Sequence, residues 1–280
     1  MIPSQFAYAR PQSLTEAMQL IGDLGDEGKI LAGGHSLIPV MRLRLSDPEN
    51  LIDITAIEEL KTISESNDTL TIGSCATHAE IATNNHVHHA CPMMTNAAAM
   101  IGDIQVRNFG TIGGSIAHAD PAADWPGILM AANATINLGS VHGYRSVLAT
   151  DFFHGLFMTA LQDEELIISI TIPKNLANSH SSYAKHHQPA SRFAIVGCAV
   201  ALESGGEARV AFNGVSSKPF RDTALETKLS GKELTKELIE EATASVADGV
   251  NLLSDHFASD EYRKHLAGVY AKKALMELIK

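Results

Sequence analysis

Two glycine pairs, each set between an apolar run and a small polar residue, constrain this chain more than any other feature in it. The first lies in Lys29-Ile30-Leu31-Ala32-Gly33-Gly34-His35-Ser36-Leu37-Ile38-Pro39, the second in Gly110-Thr111-Ile112-Gly113-Gly114-Ser115-Ile116. Glycine lacks a Cβ, so the backbone turns through conformations closed to other residues and its amides can come close to a ligand. Successive N–H groups aimed at one point make a nest for an anion, and Ser36, Thr111 and Ser115 add hydroxyl donors. One Gly-Gly after a strand is ordinarily a tight turn. Two in the same frame predict a pair of loops that close on one phosphate-bearing ligand, without naming it. Neither fits G-x-G-x-x-G, and no Gly-Lys-Ser or Gly-Lys-Thr stands at the Walker spacing, so simple NAD and P-loop classes are disfavoured.

The elements around these stretches alternate between helix and strand. Ser13 and Glu16 form a capping-box pair ahead of Leu14, Ala17, Met18 and Ile21, which recur at helical spacing. Gly25 and Gly28 end that helix and lead into a strand from Lys29 to Ala32. Leu37 to Leu45 reads as a short helix limited by Pro39, and Leu51 to Ile54 as the next strand. Leu70 to Gly73 is a further strand. Thr77 and Glu80 offer a second capping box, and Pro92 to Met100 an Ala-rich helix. Ile104 to Asn108 alternates and delivers the second glycine pair. Short strands follow at Ile136 and Leu138 and at Val147 and Leu148, then an alternating strand from Leu166 to Ile172, stopped by Pro173. Residues 175–182 are polar and without period, which places a domain boundary there. Beyond it, Phe193 to Leu202 and Ala208 to Val215 read as strands joined at Gly205-Gly206. Helices follow: one capped by Thr223 and Glu226, one from Lys236 to Val246, one from Ser259 to Lys280.

The 280 residues suffice for a well-buried core and two domains. A net charge of −11 argues against sequence-independent nucleic-acid binding, which needs Lys and Arg to displace counterions. No apolar run is long enough to span a bilayer. The first residues, Met1-Ile2-Pro3-Ser4-Gln5-Phe6, have neither a basic region nor an apolar core, so the expected location is the cytoplasm. Cys75, Cys91 and Cys198 are too scattered for a disulfide framework or an iron–sulfur site and are expected as small buried apolar residues. His86-Val87-His88-His89 has no supporting ligand spacing, so it is expected as a solvated loop, not a metal site.

Ala32 to Leu37, together with Gly110-Thr111-Ile112-Gly113-Gly114-Ser115-Ile116-Ala117-His118-Ala119-Asp120-Pro121-Ala122-Ala123-Asp124, resembles the FAD-binding medium subunit of the molybdenum hydroxylases. That family includes the flavoprotein of carbon monoxide dehydrogenase and the flavin domain of xanthine dehydrogenase. Gln105 to Asn108, Glu165 to Pro173, Tyr183-Ala184-Lys185 and Arg192 to Val196 are similar too, and the likeness covers essentially the whole chain. It implies an α+β fold: a PCMH-type FAD-binding region over residues 1–176, in subdomains of about 1–56 and 57–176. A small α+β domain of the carbon monoxide dehydrogenase flavoprotein type would follow over 177–280.

The resemblance also implies roles. Lys29, Ile30, Leu31, Ala32, Gly33, Gly34, His35 and Ser36, with Thr111, Ile112, Gly113, Gly114 and Ser115, would wrap the pyrophosphate of a non-covalent FAD. Leu37, His118 and Asp120 complete the binding set. Asp124 would bond the cofactor's polyol, Ile101 and Ile167 would line a ring, and Lys185 would lie near the flavin or its entrance. The implied function is electron exit. Electrons from a large molybdopterin subunit would pass through [2Fe-2S] centres on a small subunit to this FAD, in a dimer of heterotrimers. Two rivals stand beside it: a stand-alone FAD-dependent oxidase on the same fold, and a dinucleotide-binding module without redox turnover.

Overall fold

The computed structural model describes residues 2–174 and 180–279; the expected boundary at 176/177 lies outside the described residues. The fold is α+β and is built from three sheet-centred units. In the first, β1 (Ala7–Ala9), β2 (Gly28–Leu31) and β3 (Asn50–Asp53) form a parallel sheet in the order β1-β3-β2, with α1 (Leu14–Leu24) and α2 (Leu37–Arg42) in the connections. Ser13 caps α1 by accepting from the Glu16 amide, but Glu16 reaches back to the Gln12 amide rather than to that of Ser13, so the box is displaced by one residue. Gly25, at φ +50°, ends the helix in a conformation that favours glycine. Ala17 and Ile21 pack with Ile52, Ile54, Ile57 and Leu60 in a small core of their own.

The second unit runs through β4 (Ile63–Glu65), β5 (Thr69–Gly73), α3 (His78–Thr83), α4 (Asn85–Ala90), α5 (Pro92–Met100), α6 (Ile104–Phe109), α7 (Ile112–His118), α8 (Trp125–Ala131), β6 (Thr135–Ser140), β7 (Gly143–Leu148), α9 (Ala149–Phe152), β8 (Phe153–Gly155), β9 (Met158–Thr159) and β10 (Leu166–Pro173). Its main sheet is antiparallel in the order β4-β5-β10-β6-β7, and β8 and β9 form a separate hairpin. The full capping box at Thr77 and Glu80 is present. Three expectations need correction. Ile104 to Asn108 is helical, because Asp103 caps it by accepting from the Val106 amide, while the exposed Ile104 and Phe109 lend the segment an alternation unrelated to burial. The histidine run lies in α4, where Asn84 caps the helix, His86 pairs with Glu65 and His88 bonds Thr95. The alternation of β10 breaks at a bulge between Ile167 and Ser169, so Leu166 and Ile167 are both buried.

The third unit is an antiparallel sheet of β11 (His180–His187), β12 (Ala194–Leu202), β13 (Ala208–Asn213) and β14 (Phe220–Arg221), followed by α10 (Thr223–Leu229), α11 (Lys236–Ala242) and α12 (Asp260–Glu277). The sheet is buried on both faces. Val196, Cys198, Val200, Val210 and Phe212 face the helices α10 to α12, while Ala199, Ala201, Ala211 and Tyr183 join the core of the second unit. Small residues on that second face let α8 lie close: a Cβ on Gly127 would stand 2.9 Å from Asn213 Oδ1. The cap of α10 is Asp222, not Thr223. Its Oδ1 accepts from the Leu225 amide, and Glu226 is drawn away to the Val210 amide and Arg221. All three cysteines are free and buried, and burial pushes the Cys75 and Cys91 thiols up to about 12.

Candidate functional site

A cleft of about 890 Å3 lies among the three units, near the top of the roughly 300–1,000 Å3 range usual for small-molecule sites. Of the residues singled out in the sequence, Lys29, Ile30, Ala32, Gly33, Gly34, His35, Ser36, Leu37, Ile101, Thr111, Gly113, Gly114, Ser115, His118, Asp120, Asp124 and Ile167 line it; Leu31, Ile112 and Lys185 do not. Ile112 is instead wholly buried in the core beneath.

The two glycine pairs do different work. After β2 the chain turns at Gly34, whose φ of +71° favours glycine. Among the described residues the amides of Gly34, His35, Ser36 and Leu37 find no acceptor, so this loop carries four unpaired donors. His35 donates from Nδ1 to the Gly33 carbonyl at 2.8 Å and stacks on Phe109, with centroids 5.6 Å apart and planes 12° from parallel. Its role in the loop is therefore packing and turn formation, with Nε2 left over as the second ring nitrogen.

The second pair is not a loop; it forms the first turns of α7. There the Ile112 amide donates to Ala76, Gly113 to Ser74, and Gly114 to the Thr111 hydroxyl that caps the helix. These amides are taken, so they form no nest on this side, where Gly114 is exposed and Ser115 half-buried. The glycines serve close approach between segments. A Cβ on Gly113 would meet the Ser74 Cβ at 2.5 Å, and one on Gly33 would meet the Phe109 carbonyl oxygen at 1.9 Å.

The far end of the cleft carries a buried polar cluster. Asp124 is 5% exposed; its Oδ2 accepts from Lys185 Nζ at 2.8 Å and its Oδ1 from the Tyr183 hydroxyl. Burial lifts the Asp124 carboxyl above its ordinary value, against the opposing pull of Lys185 and the phenol. The phenol also lies 3.2 Å from Asn213 Oδ1, while Asn213 Nδ2 is buried without a partner. One phenolic proton cannot serve two acceptors. With the amide turned over, Nδ2 donates to the phenol oxygen and the conflict disappears.

Behind the second glycine pair, Trp125 Nε1 donates to His78 Nδ1 at 3.2 Å. Indole nitrogen only donates, so the His78 proton sits on Nε2. Burial, helped by the charges of His35 and Arg107, lowers this histidine to about 3, and it is neutral. Ser74, also on the cleft wall, has a buried Oγ without a partner.

Residues 4–175 match the family described as FAD binding domain in molybdopterin dehydrogenase, and residues 181–278 match the CO dehydrogenase flavoprotein C-terminal domain. The chain belongs to the FAD-binding family of the molybdopterin dehydrogenases. Among its relatives, the medium chain of glyceraldehyde dehydrogenase from Sulfolobus acidocaldarius is 38% identical, over 99% of this chain and all of that one. The medium chain of carbon monoxide dehydrogenase from Hydrogenophaga pseudoflava is 37% identical, over 98% and 97%. A solved structure of the Hydrogenophaga carbon monoxide dehydrogenase, in a form lacking the Mo-pyranopterin moiety, superposes with a TM-score of 0.94 at 38% identity, over 100% of this chain and 99% of that one. The chain is thus an oxidoreductase subunit.

The flavoprotein family membership can be tested on the cleft itself. A dinucleotide needs donors at its phosphates and acceptors at its hydroxyls. The free amides of the first loop, the orphaned Ser74 hydroxyl and the carboxylates of Asp120 and Asp124 supply both kinds, so the residues fit FAD. Sequence reasoning missed several wall residues. His78 lies inside, and Ser74 just before, a capping box that explains the local pattern without them. Phe157 and Met158 stand at the tip of the β8–β9 hairpin, with the Phe157 ring 5.0 Å from His118. Two exposed apolar residues in a turn were the available signal. Among the described residues, no group of three or more His, Cys, Asp or Glu is placed to hold a metal ion, and no helix is long and apolar enough to cross a membrane.

Proposed function

We propose that this chain is the FAD-carrying electron-transfer subunit of a heteromeric molybdenum hydroxylase. It would work beside a large molybdopterin subunit and a small [2Fe-2S] subunit, as a dimer of heterotrimers in the cytoplasm. The observation that carries the reading is the cleft between the sheet units, with unpaired amides at one end and buried carboxylate chemistry at the other. The relatives named as medium chains, one of carbon monoxide dehydrogenase and one of glyceraldehyde dehydrogenase, support a role within a larger enzyme. We assign residues 1–176 to the FAD-binding region, in subdomains of about 1–56 and 57–176, and 177–280 to the C-terminal domain.

FAD, when bound, supplies the redox chemistry: it takes up electrons and releases them to an external acceptor. The protein's part is position and access. The amides of Gly34 to Leu37 hold the pyrophosphate, with Lys29 as the exposed cation beside them. Asp124 accepts from a polyol hydroxyl through its remaining lone pairs, and Ile101 and Ile167 give the ring an apolar seat. No residue of the cleft is needed as an acid or base for electrons that arrive singly.

The test is cofactor content and electron source. Purified with its cofactor, the full chain should show an oxidised-flavin spectrum and release FAD on denaturation. The small [2Fe-2S] partner, reduced beforehand, should reduce that flavin, whereas alcohols and sugars alone should not. Release of FMN, or no flavin after reconstitution, refutes the cofactor. Direct reduction by a small alcohol or sugar would make the chain a stand-alone oxidase instead, and failure to accept electrons even from dithionite would leave a binding module.

A further inference from the structure

Lys185 is the one charged member of the sequence-derived binding set that is buried and absent from the cleft surface. Its side chain is 1% exposed, and its ammonium has three acceptors around it: Asp124 Oδ2 at 2.8 Å, the Arg192 carbonyl at 2.9 Å and the Met100 carbonyl at 3.2 Å. An ammonium has three N–H groups, so its donors are fully used. Each acceptor belongs to a different part of the cleft wall. Met100 ends α5 and precedes Ile101; Asp124 opens α8; Arg192 precedes Phe193 in the turn between β11 and β12. Arg192 holds φ at +61°, a conformation costly outside glycine that persists where its surroundings fix it.

We propose that Lys185 is a positioning residue: it ties three separate stretches of the cleft wall to the C-terminal sheet and does not touch the cofactor. The inference rests on the reading of the cleft as an FAD site. Neighbouring bonds run the same way. Gly214 donates to the Pro121 carbonyl and Ala194 to that of Ala122, so the segment before Asp124 is already stitched to the third sheet. Tyr183, two residues along β11 and therefore on the same face, takes the other oxygen of Asp124. The third unit thereby forms the end wall of the cleft. A lysine suits the place because its compact head directs three donors to three points, where arginine presents a planar fork.

The test uses the full-length chain with Lys185→Met and Lys185→Arg. Backbone hydrogen exchange is measured on the cofactor-free protein, and FAD dissociation and flavin midpoint potential on the reconstituted one. Loss of a hydrogen bond to a charged group corresponds to a change of roughly tenfold or more. Exchange at residues 99–101, 122–125 and 190–193 should therefore rise together by roughly tenfold in both variants, with α10 to α12 unchanged, and FAD should leave roughly tenfold faster in both. If Lys185→Met does not fold, because Asp124 is left buried and unpaired, the double variant Lys185→Met with Asp124→Asn is measured in its place. Unchanged exchange in the three stretches overturns the proposal. So does Lys185→Arg behaving as wild type while Lys185→Met alone shifts the midpoint potential, the mark of a cation acting directly on the ring. If the wild-type chain holds no FAD, the cofactor reading fails, and the exchange comparison still decides what Lys185 does.

Discussion

His78 makes a quantitative link between pH and stability that one variant can isolate. Its ring is buried and neutral in the folded chain, lowered to about 3, while in the unfolded chain it titrates at about 6.5. The folded-state value is the lower one, so the unfolded state takes up the proton first. Stability from this group is complete above about pH 6.5 and is lost as pH falls toward 3. At pH 5 the loss amounts to RT ln(1 + 10^1.5), about 2 kcal/mol, against almost nothing at pH 7.5. Carboxylates at or below their ordinary values contribute little over that interval, because their titration lies lower; Asp124, lifted by burial, is common to wild type and variant. The other histidines also compete, and they too are common to wild type and variant.

The assay is guanidinium unfolding at pH 7.5 and pH 5, followed by fluorescence of Trp125, the chain's single tryptophan and the donor to His78. His78→Gln keeps an acceptor for the indole and removes the titration. The wild type should lose about 2 kcal/mol more than the variant between the two pH values. Equal losses would refute the assignment of a neutral, proton-resistant His78, and so would a titration of His78 by NMR near its ordinary value.

Four further outcomes follow from the contacts. Gly33→Ala would drive a Cβ into the Phe109 carbonyl at 1.9 Å, and should destabilise the chain by about 3 kcal/mol in denaturant titration. Gly114→Val, on an exposed face with only the Thr111 hydroxyl close by, should change stability by less than about 1 kcal/mol while FAD retention falls; full flavin occupancy would remove Gly114 from the site. Asp222→Ala takes the cap from α10 and the partner from the Ala247 amide, and should cost about 2–4 kcal/mol with no effect on FAD dissociation. In acid, burial raises Glu165, but its bonds with Arg145 and the Gln162 amide outweigh that and hold its carboxyl below the ordinary range. Its contribution is therefore present above about pH 4.5 and lost as pH falls further, and Glu165→Gln should flatten the stability curve there.

What was legible in the sequence was whatever a few neighbouring residues decide. The box at Thr77 and Glu80, the Ala-rich α5, the β5 strand and the apolar β12 each bring their cause within a handful of positions. The resemblance added the FAD family and most of the cleft lining. Long-range causes were not legible. The strand β11 reads as polar because Lys185 and Tyr183 are satisfied by Asp124, about sixty residues earlier. Asp103 outranks the alternation of Ile104 to Asn108 because an N-cap acts locally on amides, whereas an alternating pattern carries weight only where one face is buried.

The glycine pairs illustrate the same division. Sequence alone treats them as equivalent, since both remove a Cβ beside small polar residues. In the fold only the first leaves amides without acceptors; the second gives its amides to Ala76, Ser74 and Thr111 and lets α7 seat against Ser74. The absent side chain at Gly33 faces Phe109, not the cleft, so this glycine acts at the contact between the first unit and the second. Docking of the units and shaping of the proposed phosphate cradle therefore depend on the same few atoms. A substitution at Gly33 must disturb both together, whereas one at Gly114 can disturb the ligand alone. That difference in coupling, read from stability and FAD retention side by side, separates a glycine needed for packing from one needed for binding.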